Sequence, residues 1–132
     1  MLLVDTSVWM EVFRRGTTFQ LESVAELEEV VTCLPVIQEV LQGFRDERPF
    51  QVARESLHAL PIVESPLKRV VFDEAIDLYR RSRRAGVTVR SSVDCLIAAC
   101  AVRHGLTVVH RGRDFGGLAR VSPLQARDIL RR

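Results

Sequence analysis

The chain has 132 residues, 47% of them apolar, and a net charge of +2, so it is long and apolar enough to close one core in a single domain without disulfide or metal staples. Its three cysteines, Cys33, Cys95 and Cys100, lie in apolar or mixed runs, with no CxxC pair and no histidine at zinc spacing. They are expected to be reduced thiols, which fits a cytoplasmic setting and speaks against a disulfide scaffold or a structural zinc site. No apolar run reaches the roughly 20 residues of a bilayer span, and MLLVD meets a carboxylate too early for a secretory signal.

MLLVD reads as a short buried strand that delivers Asp5 at its C-terminal end. Thr6 or Ser7 then caps a helix through about Arg14, with Trp9 and Phe13 one turn apart and Gly16 as its stop. Residues 19–28 are of mixed character and are read as helical. Val30 to Leu34 is β-rich and forms the second strand. Pro35 opens a helix whose Val36, Ile37, Val40, Leu41 and Phe44 share one apolar arc, with Glu39 outside it.

A helix over about 49–60 leads to a third strand at Pro61, Ile62 and Val63, and Ser65-Pro66 opens a long helix that runs to about Arg84 before Gly86. From Ser91 or Ser92 the run VDCLIAACAV has no polar face until Arg103, which predicts a deeply buried helix. Gly105 ends it, Leu106 to Val109 supplies a fourth strand, Asp114 follows in the loop RGRDFGG, and a short helix and strand complete the chain. Strands alternating with helices pair in parallel through right-handed crossovers. The expected fold is therefore an α/β/α three-layer sandwich around a mostly parallel sheet of four to five strands.

Ligands of open parallel sheets bind at the C-terminal ends of the strands. Asp5 ends the first strand, Asp114 follows the fourth, and Asp94 opens the buried helix that feeds the fourth, so three acids are placed to converge. A cluster of this kind repels itself unless a cation neutralises it, and oxygen ligands without His or Cys favour a hard divalent ion, Mg²⁺ or Mn²⁺. Such an ion activates water toward a phosphodiester. Each acid also has a local explanation. Asp5 and Asp114 are placed to cap helices, Ser91-Ser92-Val93-Asp94 has the spacing of a capping box, and Glu39 suits a solvated helix surface.

The charge is unevenly spread. Residues 1–79 hold seven Lys/Arg against fourteen Asp/Glu, whereas residues 80–132 hold twelve Arg against three Asp. Arginine is the side chain best suited to bidentate phosphate contacts and to stacking on bases. The second half therefore suits a polyanionic partner, or else pairs with the acidic half of the same molecule.

LLVDTSVWMEVF at 2–13, LPVIQEVLQGF at 34–44, RSSVDCLIAACAVRHGLTVVH at 90–110 and RDFGGLA at 113–119 together resemble the PIN-domain nucleases, and within them the VapC-type toxins of bacterial toxin–antitoxin pairs. The resemblance implies that Asp5, Glu39, Asp94 and Asp114 ligate Mg²⁺ or Mn²⁺ and that Ser7 orients the site. It implies cleavage of RNA, tRNA or rRNA among the candidates, by a metal-activated water. It implies neutralisation by a cognate VapB-type antitoxin and assembly as a homodimer. Arg90 and Arg111 match by charge as contacts for RNA phosphates. Where many relatives carry a further acid two residues before the late aspartate, this chain has Gly112, which cannot ligate a metal. The alternative is thus a weakened or inactive PIN-fold module that retains antitoxin binding. Trp9, Met10, Val12 and Phe13 suit either an apolar antitoxin groove or ordinary core. A receiver domain would need a phosphorylatable aspartate after the third strand, where Glu64-Ser65-Pro66 stands. The histidines, His58, His104 and His110, are scattered without a nucleophile motif.

Overall fold

The computed structural model describes residues 1–131. Its framework is a five-stranded sheet in the order β3-β2-β1-β4-β5, made of β1 (Leu2–Val4), β2 (Val30–Cys33), β3 (Ile62–Val63), β4 (Thr107–His110) and β5 (Gln125–Asp128). Every pairing is parallel, with Leu3 opposite both Val31 and Val108 and Val109 opposite Arg127. Helices pack against both faces of a parallel sheet, which is why the inner strands read as unbroken apolar runs. Leu3, Val4, Val30, Val31, Val108 and Val109 are all buried.

The strands are joined by α1 (Thr6–Phe13), α2 (Leu34–Gln42), α3 (Glu47–His58), α4 (Arg69–Arg84), α5 (Ser92–His104) and α6 (Asp114–Arg120). In one group α1 packs on α2 and α2 on α3, and in the other α4 packs on α5 and α5 on α6. The small residues Ala98, Ala99, Cys100 and Ala101 make α5 the most enclosed helix and let α4 approach closely. Gly105 ends α5 at φ 62, the left-handed conformation that glycine adopts without a Cβ penalty, and Leu106 N–H returns to the Ala101 carbonyl at 2.9 Å. Trp9 is buried and stacks on Phe13 at 5.8 Å between ring centroids, so this pair belongs to the core, whereas Met10 is exposed. No helix among the described residues is long and apolar enough to cross a membrane.

Three local expectations are corrected. Residues 19–28 form two isolated 3-10 turns, Leu21–Ser23 and Leu27–Glu29, in place of a helix. Only Leu21 and Ala25 are buried there, and the clustered charges of Glu22, Glu26, Glu28 and Glu29 leave no apolar stripe to dock a helix. Helix α4 begins at Arg69 and not at Pro66, because residues 64–68 turn the chain out of β3, with Glu64 at φ 53 held by Arg103 and His104. Asp114 is the first residue of α6 rather than part of the preceding loop.

Strand order reverses about β1. The chain steps outward from β1 to β2 and β3, then returns to lay β4 on the other side of β1. The crevice at the C-terminal ends of β1 and β4 is the switch point at which open α/β sheets bind ligands. Asp5 and His110 stand at its two sides.

Candidate active site

Asp5 is fixed by backbone and side chain together. Its N–H donates to the Val109 carbonyl at 2.9 Å, which extends the β1–β4 ladder by one residue. Its Oδ2 caps α1 by accepting from Ser7 N at 3.0 Å and from Ser7 Oγ at 2.5 Å. The cap accounts for one oxygen only. Oδ1 is buried and has no hydrogen-bond partner among the described residues, an uncompensated arrangement for a carboxylate that points to a cationic ligand.

Glu39 projects from α2, off that helix's buried side, and its Oε1 accepts from Thr6 Oγ1 at 2.8 Å. Asp94 lies in the first turn of α5. Ser91 caps that helix by accepting from Val93 N at 3.2 Å, while Asp94 joins the wall of the cleft. One carboxylate oxygen from each of Asp5, Glu39 and Asp94 lies within 4.8 Å of the others. Asp114 enters the same cleft from the start of α6, beside Arg90, whose Nε is 3.6 Å from Asp114 Oδ1. The Arg90 side chain is largely exposed, so this pair is weak.

The electrostatics reflect the crowding. Burial, then the charge of Asp5, then hydrogen bonding and charge from Asp114 push the Asp94 carboxyl up to about 8. Burial also raises Glu39, with the Thr6 hydrogen bond opposing it and Asp5 adding to it. A divalent cation would relieve both effects at once, because it replaces the lost hydration and screens the mutual repulsion. The donor set is entirely oxygen, as Mg²⁺ and Mn²⁺ prefer. On the orphaned Asp5 oxygen and this donor chemistry, the residues fit a hard metal ion.

The cleft holds about 300 Å³. Ser7 is the joint between its two sides: its Oγ donates to Asp5 and accepts from Arg111 N at 3.0 Å, so the loop after β4 is tied to the first acid. Arg111 lines the cleft, and its guanidinium is bonded to Glu11. Gly112 has φ 135, and nothing lies within 4 Å of where its Cβ would be. An acid there would have room but would strain the backbone.

Sequence reasoning passed over Thr6, Glu11 and His110. His110 is buried at the end of β4, lines the cleft, packs its ring 5.4 Å from that of Phe115, and leaves Nδ1 without a partner among the described residues. Burial lowers its pKa, with the charges of Asp128, Asp5 and Asp114 opposing. The DTS tripeptide signalled Ser7 as well as Thr6, but the Glu11 to Arg111 pairing had no local signal.

The PIN domain family matches residues 2–121. The chain is 40% identical over 131 residues to ribonuclease VapC11 of Mycobacterium tuberculosis, covering 96% of this chain and 97% of the relative. Among solved structures it is similar to VapBC-5 of Mycobacterium tuberculosis, a member of the VapBC family of toxin–antitoxin systems, with TM-score 0.72 at 20% identity over 96% of this chain and 97% of that one. It is also similar to Mycobacterium tuberculosis VapC20, a sarcin–ricin-loop-cleaving toxin, with TM-score 0.71 at 17% identity over 95% and 99% of the two chains. The sheet order, the cleft at the switch point and these similarities agree: the chain belongs to the PIN-domain family, among the VapC ribonucleases.

Proposed function

We propose that residues 1–132 act as one Mg²⁺- or Mn²⁺-dependent endoribonuclease domain that hydrolyses RNA phosphodiester bonds with water. The observation that carries this reading is the approach of Asp5, Glu39 and Asp94 to within 4.8 Å, oxygen to oxygen, in a cleft that Asp114 also lines. These four acids hold the metal. When bound, the ion supplies electrostatic activation of the phosphodiester and of the attacking water. Ser7 orients Asp5 and steadies the loop carrying Arg111, and Arg90 and Arg111 offer charge to the flanking phosphates. VapC20's cleavage of the sarcin–ricin loop supports single-stranded or looped RNA as the substrate class, with tRNA and rRNA as the candidates to test.

An inactive module is not favoured. The carboxylates converge without any acid at position 112, and the relative at 40% identity is a ribonuclease. The VapBC neighbour supports a VapB-type antitoxin as the regulator, and unpaired Cys33, Cys95 and Cys100 agree with a cytoplasmic setting. A homodimer is supported by α4, where Phe72, Ile76 and Tyr79 are exposed one helical turn apart. Asp73 and Asp77 precede Arg80 and Arg83 on the same helix, so antiparallel pairing of two copies would set opposite charges together.

The test is incubation of the purified protein with total tRNA and rRNA in Mg²⁺ or Mn²⁺, with and without EDTA. Discrete cuts that vanish on chelation, and in Asp5→Asn and Asp94→Asn, support the reading. Undiminished cutting in EDTA or in either variant overturns it.

A further inference from the structure

A second and larger concavity, about 980 Å³, lies between α6 and β5 and adjoins the carboxylate cleft, with His110, Gly112 and Arg113 lining both. Its rim carries Arg113, Arg120 and Arg131, all exposed. None of the three forms a salt bridge or a side-chain hydrogen bond among the described residues. Arg127 also borders the groove, but its guanidinium is occupied at the Val24 carbonyl, 2.7 Å away. The acid present, Asp128, uses Oδ1 to accept from Leu130 N at 3.0 Å. The α6 wall is open where Gly116 faces it, with nothing within 4 Å of that residue's Cβ position. The groove is thus cationic, open among the described residues, and adjacent to the acids.

We propose that this groove carries the single-stranded RNA flank that leaves the carboxylate cleft on the β5 side, with Arg113, Arg120 and Arg131 contacting successive phosphates. The inference rests on the nuclease reading and extends it by naming the path of the strand. Unpaired guanidiniums match phosphate oxygens in charge and in fork geometry. An acidic peptide would meet the same charges, but the shared wall with the cleft favours RNA: a phosphodiester at Asp5 and Asp94 must continue as a chain on both sides, and this groove lies next to it on the β5 side.

The test is binding of a short fluorescein-labelled single-stranded RNA of mixed sequence, followed by anisotropy in EDTA across about 50 to 200 mM KCl, the range over which phosphate contacts are read from the salt slope. Replacing Arg113, Arg120 and Arg131 together by Gln should reduce the slope of log K against log salt by about 2, since each single-strand phosphate contact contributes about 0.7. Gly116→Leu, which fills the groove without changing charge, should weaken binding and leave the slope nearly unchanged. A control set, Arg45→Gln with Arg48→Gln before and at the start of α3 and Arg54→Gln within it, all exposed, removes equal charge away from the groove and should leave the slope near that of the parent. Equal slope losses in the two triple variants would overturn the proposal in favour of net charge alone. Unchanged RNA binding in the groove triple, with weakened binding of a labelled polyglutamate peptide, would overturn it in favour of an acidic-peptide site. No RNA binding by the parent would overturn it as well. If the parent binds RNA with the expected variant pattern but never cuts in Mg²⁺, the groove stands and the nuclease reading fails.

Discussion

Thr6 and Glu39, thirty-three residues apart, are joined by a 2.8 Å hydrogen bond in which the threonine hydroxyl donates to the carboxylate. The bond locks the start of α1 to the middle of α2 and sets the direction in which Glu39 enters the cleft. Thr6→Val keeps the shape and removes the donor. A hydrogen bond to a charged group contributes about 1.5–3 kcal/mol, and partial exposure here brings the expected loss to about 1 kcal/mol. Because the bond lowers the Glu39 pKa, the variant should raise it further. Denaturant unfolding reads the stability, and carboxyl NMR titration reads the pKa.

Asp94 should make metal-free stability fall as pH rises. Its folded carboxyl is raised to about 8 from a reference of 3.8. The folded state therefore holds a proton that the unfolded chain has released. The stabilisation is complete below about pH 4, and it is lost progressively as pH climbs through about 8. Asp94→Asn removes the titration and should flatten the slope. At pH 8 without metal it should melt higher than the parent by several degrees, on the order of 4 °C per kcal/mol for a domain of this size. Scanning calorimetry of both proteins in EDTA from pH 4 to pH 8.5 checks this, and parallel curves would refute it.

Ser7→Ala should release the loop after β4. The hydroxyl satisfies both Asp5 and the Arg111 amide, so its removal leaves a partly buried acceptor and a backbone donor short of partners. We expect hydrogen exchange at Arg111 to rise at least several-fold and RNA cleavage to fall by about 10- to 100-fold, the usual scale for a group that orients a metal ligand. Unchanged exchange at Arg111 would count against the joint.

Gly112→Asp tests what the missing acid would do. The side chain has space, but φ 135 costs an L-residue about 1–3 kcal/mol. The variant should melt below the parent in EDTA and gain more from added Mn²⁺ than the parent does. Equal Mn²⁺-induced shifts would show that four acids suffice.

Much of this was legible because the fold and the candidate site rest on local patterns. The strands MLLV and VVTC, the largely apolar α5 and its stop at Gly105 each follow from runs of a few residues. Asp5, Asp94 and Asp114 stood out by their positions at element ends, whereas Glu39, in the middle of α2, was brought in by the family resemblance alone. What escaped depends on distant pairing. The Thr6–Glu39 and Glu11–Arg111 contacts join residues 33 and 100 apart, and nothing nearby marks either partner. His110 reads only as one of three scattered histidines just past the fourth strand, whereas its burial at the end of β4 arises from the folded sheet. Residues 19–28 misled because helix propensity without an apolar face is insufficient to hold a helix.

The most direct measurement is Mn²⁺ uptake at neutral pH, followed by electron paramagnetic resonance, in the parent and in Asp5→Asn, Glu39→Gln and Asp94→Asn. Shared ligation by these carboxylates predicts saturable uptake by the parent and at least 10-fold weaker binding in each variant, all remaining folded. Equal uptake by parent and variants would contradict it.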